Sequence, residues 1–241
     1  MGAQIETEGG VLSCRCPDGL RGEKITLSFP SVGATENILI AAASADGETV
    51  ILNAAREPEI ADLANFLCSC GAHISGAGSG EITVCGMKKL HSAEHTVIPD
   101  RIIASTYMAA AAVTGGDVRI LDTRAEHITP VIPVFEQAGC KVDCGENSVH
   151  ISAPVRLRSV QTVRTMPYPG FPTDSQAAVM AMLSVAHGTS VMIENIFENR
   201  YRHVRELCRL GADIMTEGKV AVIKLSLIHI SEPTRRTPIS Y

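Results

Sequence analysis

The stretch Gly139-Cys140-Lys141-Val142 decides how the rest of the chain is read. It closes a helix-like run, Glu126–Ala138, and opens a strand, with Gly where a left-handed backbone can stop a helix. The element occurs three more times, as Gly2-Ala3-Gln4-Ile5, Gly71-Ala72-His73-Ile74 and Gly211-Ala212-Asp213-Ile214, with the glycines about seventy residues apart. Helix-like runs Glu57–Cys70 and Tyr201–Leu210 precede two of these. Further upstream in each unit an Ala-rich helix, a Gly turn and a β-branched strand recur. These are Ile38–Ala45 with Thr49–Leu52, Ile102–Val113 with Val118–Leu121, and Gln176–His187 with Ser190–Ile193. A short alternating strand follows the Gly-Ala turn, such as Ile82-Thr83-Val84 or Val149-His150-Ile151. Each unit therefore reads helix, strand, helix, strand, strand. One unit cannot bury its sheet face alone, so several are expected to pack around a shared interior in an α/β fold.

Pro99 punctuates the chain before Asp100, which predicts one lobe over 1–98 and another over 99–223. The sequence starts and stops inside units, so both lobes are expected to be incomplete. From about Lys224 the pattern fails. The run LSLIHISEPTRRTPISY has no Gly where a unit needs one, and 224–241 reads as a disordered, non-native tail.

Composition excludes several classes. With 241 residues and 45% hydrophobic content the chain can bury a sizeable core, and with 4% aromatics and no Trp that core must be built mainly from Ala, Val, Ile and Leu. A net charge of −5 argues against a nucleic-acid surface, which needs an excess of cations. Apolar runs such as Ala177–Met182 are too short for a bilayer, and MGAQIETEGG lacks a secretory pattern, so a cytoplasmic protein is expected. The eight cysteines, at Cys14, Cys16, Cys68, Cys70, Cys85, Cys140, Cys144 and Cys208, form no CxxC pair and no His pair follows. They are expected to be reduced and mostly buried, with no metal and no cofactor.

Chemistry collects in Met166–Arg200, MPYPGFPTDSQAAVMAMLSVAHGTSVMIENIFENR. Pro167, Pro169 and Pro172 predict an extended loop that delivers Asp174 to the start of a helix. An Asp there is ordinarily an N-cap, and Asp100 holds the equivalent place one unit earlier, with Thr35 the candidate before that. The functional alternative is that Asp174 accepts a proton from a substrate hydroxyl. Arg202, Arg205 and Arg209 read as one solvated face. Arg200 is different: at a helix start a cation opposes the macrodipole, which makes it a candidate anion binder. Ser31-Val32-Gly33-Ala34-Thr35 enters another helix, whose backbone N–H groups could hold a phosphate.

Five motifs in order carry a resemblance: Ser31-Val32-Gly33-Ala34-Thr35, Asn53-Ala54-Ala55-Arg56-Glu57-Pro58-Glu59-Ile60, Pro99-Asp100-Arg101, Phe171-Pro172-Thr173-Asp174 and Phe197-Glu198-Asn199-Arg200. The chain resembles the bacterial enolpyruvyl transferases, in particular those that act on UDP-N-acetylglucosamine, over Gly2 to about Ile223. The resemblance implies an inside-out α/β barrel of two lobes with the active site in the cleft between them. It implies transfer of the enolpyruvyl group of phosphoenolpyruvate to the 3-hydroxyl of the sugar, releasing phosphate, as the first committed step of peptidoglycan synthesis. By the same resemblance Asp174 is the base at the sugar hydroxyl, Ile196 lines the nucleotide-sugar site, Arg200 lies near phosphoenolpyruvate, and Ser31, Val32 and Gly33 meet the uridine diphosphate. No nucleic-acid, membrane or obligate protein partner is implied. Phe29 stands where some members place a Lys, and none of the cysteines matches the family's reactive Cys, so the chain alone is expected to be inactive. The alternatives are an acceptor of the shikimate-phosphate type and a non-catalytic relative that only binds a nucleotide-sugar or a partner.

Overall fold

In the computed structural model, which describes residues 1–87 and 89–225, short strands set the architecture, and those central in the larger sheets bury every second residue. The chain divides into two compact units, Met1–Ile98 and Pro99–Tyr241.

The first unit opens with a hairpin, β1 (Gln4–Glu8) against β2 (Val11–Arg15). Gly9 and Gly10 turn it with φ of 58° and 83°, positive values that a two-residue hairpin turn needs and L side chains resist. There follow β3 (Lys24–Thr26), α1 (Val32–Ala42), β4 (Glu48–Leu52), α2 (Pro58–Ser69), β5 (His73–Ser75) and β6 (Glu81–Cys85). Their sheet has the order β3-β4-β6-β5, with β3 and β4 parallel and the other pairs antiparallel. Thr49 and Ile51 of β4 and Ile82 and Val84 of β6 turn to one face. Helix α2 meets that core with Ile60 and Leu67, and Leu63 packs against it, one stripe at helical spacing. Truncating Ile51 to Ala would cost about 2–5 kcal/mol, because the site is fully enclosed.

The second unit contains α3 (Arg101–Thr114), β7 (Asp117–Leu121), α4 (Ala125–Ile128), α5 (Ile132–Gln137), β8 (Lys141–Cys144) and β9 (Ser148–Ser152), with sheet order β7-β9-β8. Then come β10 (Thr162–Arg164), a 3₁₀ turn (Thr173–Ser175), α6 (Gln176–Ser184), β11 (Thr189–Ile193), α7 (Val204–Arg209), β12 (Asp213–Glu217) and β13 (Val220–Lys224). The last sheet, β10-β11-β13-β12, repeats the strand order and the parallel and antiparallel pairing of the sheet in the first unit. Helix α6 buries Val179, Met180, Met182 and Leu183 and lies against the small residues of α3. Gly71, Gly139 and Gly211 end α2, α5 and α7 at φ of 104°, 99° and 99°.

Several expectations change. The helix expected over Glu126–Ala138 is two short helices, because Pro130 lacks the N–H a continuing helix would need and Pro133 suits the first turn of a new one. The run Tyr201–Leu210 is helical only over Val204–Arg209. Lys224 pairs with Thr189 and Asp213 as the last residue of β13, and the expected tail from 226 lies outside the described residues. The cysteines are free, but just Cys70 and Cys140 are buried; Cys14, Cys68, Cys85, Cys144 and Cys208 are exposed. Cys68 and Cys208 sit near the ends of α2 and α7, where their sulfurs point at the Ile74 and Ile214 carbonyls rather than into a core.

Candidate active site

At the start of α1, Ser31 is the N-cap: its Oγ accepts from the Ala34 N–H at 3.3 Å. The cap expected of Thr35 is not made. Thr35 is one turn inside, where its hydroxyl donates to the Ser31 carbonyl (2.8 Å) and accepts from Ala55 N–H (3.0 Å), tying α1 to the end of β4. Val32 and Gly33 supply first-turn N–H groups that a helix cannot use internally, and Gly33 is exposed with open space on its side-chain side. Burial, and then the neighbouring Glu59 and Glu57, push the Glu36 carboxyl in the first half of α1 above its ordinary range.

The remaining expected site residues lie in the second unit. The loop before Asp174 is not extended; it closes on itself, with Met166 N–H donating to Phe171 O (3.0 Å), Gly170 N–H to Pro167 O (2.8 Å) and a cis Tyr168–Pro169 peptide. A Cβ on Gly170 would stand 2.5 Å from that of Met166, so the closure needs glycine. Tyr168 fastens the loop by donating to Glu126 O (3.2 Å) and covering the Arg101 guanidinium, 5.8 Å from its ring centre.

Asp174 is in the middle of the 3₁₀ turn, and neither that turn nor α6 has a side-chain cap. The capping role that recurrence favoured is therefore absent. Its Oδ1 accepts instead from Arg200 Nη2 at 2.6 Å, with the carboxylate about half exposed and the guanidinium somewhat less so. Arg200 is not at a helix start, as its spacing suggested, but four residues ahead of α7, and its guanidinium lies 5.3 Å from the centre of the Phe197 ring. Arg202, Arg205 and Arg209 are exposed, and Arg209 pairs with Glu206 at 2.9 Å. The structure thus brings Asp174 and Arg200 into contact, with the half-buried Ile196 on the same loop as Arg200. Ser31, Val32 and Gly33 belong to the other unit.

Sequence reasoning missed Glu194. It follows β11 directly, is 1% exposed, and receives hydrogen bonds from Thr165, Thr173, Ile196 and Phe197. Nearby, Tyr201 donates to the carbonyls of Met192 (3.0 Å) and Lys219 (3.1 Å); burial, then the Glu194 charge, push its phenol up to about 12. Among the described residues no group of three or more His, Cys, Asp or Glu could hold a metal, and no helix is long and apolar enough to cross a membrane.

Residues 1–232 match the family model described as EPSP synthase (3-phosphoshikimate 1-carboxyvinyltransferase). The chain belongs to the EPSP synthase family. Within this family it is 49% identical over 224 residues to UDP-N-acetylglucosamine 1-carboxyvinyltransferase 2 of Caldanaerobacter subterraneus subsp. tengcongensis, covering 93% of this chain and 54% of that protein. It is also 49% identical over 225 residues to the UDP-N-acetylglucosamine 1-carboxyvinyltransferase of Finegoldia magna, covering 92% and 53%. The chain therefore spans about half the length of the curated relatives it matches. Its fold is that of the enolpyruvyl transferase NikO from Streptomyces tendae, with a TM-score of 0.82 at 23% identity over 92% of this chain and 55% of that one. The EPSP synthase of Acinetobacter baumannii follows with a TM-score of 0.65 at 25% identity, over 93% and 54%.

Proposed function

We propose that the whole protein transfers the enolpyruvyl group of phosphoenolpyruvate to the 3-hydroxyl of UDP-N-acetylglucosamine, releasing phosphate and opening peptidoglycan synthesis. The observation that carries the reading is the Asp174–Arg200 contact. A carboxylate at the head of a helix has been left out of capping and held 2.6 Å from a cation. Asp174 accepts the proton as the sugar oxygen bonds to C2 of phosphoenolpyruvate and the C2=C3 pair takes up a proton at C3; loss of a proton from C3 then re-forms the double bond as the C2–oxygen bond to phosphate breaks. Arg200, braced on Phe197, pairs with the carboxylate and offers positive charge to an anionic reactant, as charge developing in the transition state requires. Ile196 lines the nucleotide-sugar site beside them. Ser31, Val32 and Gly33 meet the diphosphate through first-turn N–H groups of α1.

The same reading takes the two units as lobes of an inside-out α/β barrel built of helix-strand-helix-strand-strand repeats, in a cytoplasmic enzyme that supports cell shape and division. The family's own description favours a second acceptor, a shikimate phosphate, whereas relatives near half identity are named for UDP-N-acetylglucosamine. The test is phosphate release by the complete gene product from phosphoenolpyruvate with each acceptor. Turnover with UDP-N-acetylglucosamine alone is expected. Turnover with shikimate 3-phosphate instead, or with neither, would overturn the assignment. The 241-residue chain by itself is expected to release none.

A further inference from the structure

We propose that Glu194 is a positioning residue for this site: its buried carboxylate locks the turn bearing Asp174 to the loop bearing Ile196 and Arg200. What the locked groups do rests on the function proposed above; that they are locked does not. Glu194 Oε1 accepts from Thr165 Oγ1 (2.8 Å), Ile196 N–H (2.9 Å) and Phe197 N–H (3.1 Å). Its Oε2 accepts from Thr173 Oγ1 (2.9 Å), on the residue next to Asp174. Thr165 Oγ1 also accepts from Asn195 N–H at 2.8 Å, so three separate segments meet at one carboxylate. On the far side, Phe197 lies against the Arg200 guanidinium.

A purely structural role is the alternative, and the equivalent places elsewhere argue against it. The residue directly after β4 is Asn53 and the one after β7 is Asp122; both are exposed, at φ of 56° and 52°. Asn53 donates to the Leu27 carbonyl, and the tie from β4 to its helix is made by Thr35 inside α1. The fold therefore closes this corner without burying a carboxylate. Burying one is unfavourable unless its lone pairs are filled, and here four donors fill them. The corner that departs from the others is the one whose helix begins with an uncapped Asp.

The decisive variant is Thr173→Val, which removes the single bond reaching the Asp174 turn and leaves the three bonds to Oε1. Thr173→Ser restores the hydroxyl. In the complete protein, Thr173→Val is expected to lower kcat by ~10- to 100-fold with a much smaller change in KM for the nucleotide-sugar, and Thr173→Ser to recover most of it. Hydrogen exchange is expected to quicken in 173–176 and to stay slow at the Ile196 and Phe197 amides. Wild-type kcat and exchange in Thr173→Val would overturn the proposal. So would a loss that tracks only the folded fraction and is not recovered by Ser. If the wild-type protein turns over neither acceptor, the functional reading fails separately, and exchange at the Asp174 turn decides the lock.

Discussion

Asp100 and Asp174 occupy matching places, each shortly after a proline and each ahead of a helix of small residues, and those two helices pack on each other. Asp100 Oδ1 accepts from Ile102 N–H (2.7 Å) and Ile103 N–H (3.1 Å), satisfying two donors that α3 cannot use. Asp174 caps nothing. One residue, Thr173, separates it from Pro172, and the extra residue draws the chain into a 3₁₀ turn that leaves the carboxylate facing Arg200. The Thr173 hydroxyl, which would otherwise be free, goes to Glu194. Capping is the default use of an Asp at a helix entrance, and escaping it here involves a turn, a buried acceptor and a cation together.

The largest effect that separates the two is on turnover. In the complete protein Asp174→Asn, which keeps shape and removes the base, is expected to slow phosphate release by ~10²–10⁴-fold while UDP-N-acetylglucosamine still binds in calorimetry. Asp100→Asn is expected to leave turnover per folded molecule unchanged. Equal losses in the two variants would erase the distinction. Next in size is Arg200→Met, which removes the cation but keeps an unbranched, flexible stem. A loss of about 10²-fold in kcat/KM is expected, since a preplaced charge is withdrawn from the reacting anion.

Stability should rank the pair in the opposite order. Asp100→Ala removes two cap bonds and is expected to cost about 1 kcal/mol in urea unfolding. Asp174→Ala breaks an ion pair that is half open to solvent, so screening holds its contribution to about 0–1 kcal/mol, at the lower end. A larger destabilisation from Asp174→Ala than from Asp100→Ala would return Asp174 to a structural role.

How far these differences were legible depends on their range along the chain. The glycines at 71, 139 and 211 announced the helix ends, because positive φ is a local requirement written in a single residue type. Asp100 was legible as a cap for the same reason. Glu194 was not: its hydroxyl donors are 29 and 21 residues away, and nothing adjacent marks a Glu after a strand as buried. A signal was present in the comparison of Asn53, Asp122 and Glu194 as the residues closing three strands, and it needed register to be read. The cysteines misled for a related reason. A small apolar side chain follows the face it stands on, and Cys68 and Cys208 stand on outward faces near helix ends.

The smallest expected effect concerns His203, three residues along from Arg200. Its imidazole is half-buried, its Nε2 has no partner among the described residues, and its pKa is lowered. Burial is the main cause, the Arg200 charge lowers it further, and a backbone hydrogen bond at Arg200 opposes both. The folded protein therefore keeps His203 neutral at a pH where the unfolded chain already takes up a proton. The unfolded state then binds more protons, so stability falls as pH drops through the ordinary value of 6.5 and shows no contribution from this group well above it. His203→Gln is expected to flatten the slope of unfolding free energy in that window, measured by urea titration at stepped pH. Arg200→Met tests the coupling to the site. With the charge gone and the backbone bond kept, the ring's NMR titration should move up toward its ordinary value, by less than a full release from burial would give. A midpoint that moves down, or not at all, would mean that the guanidinium is spent on Asp174 and Phe197 and does not reach the histidine.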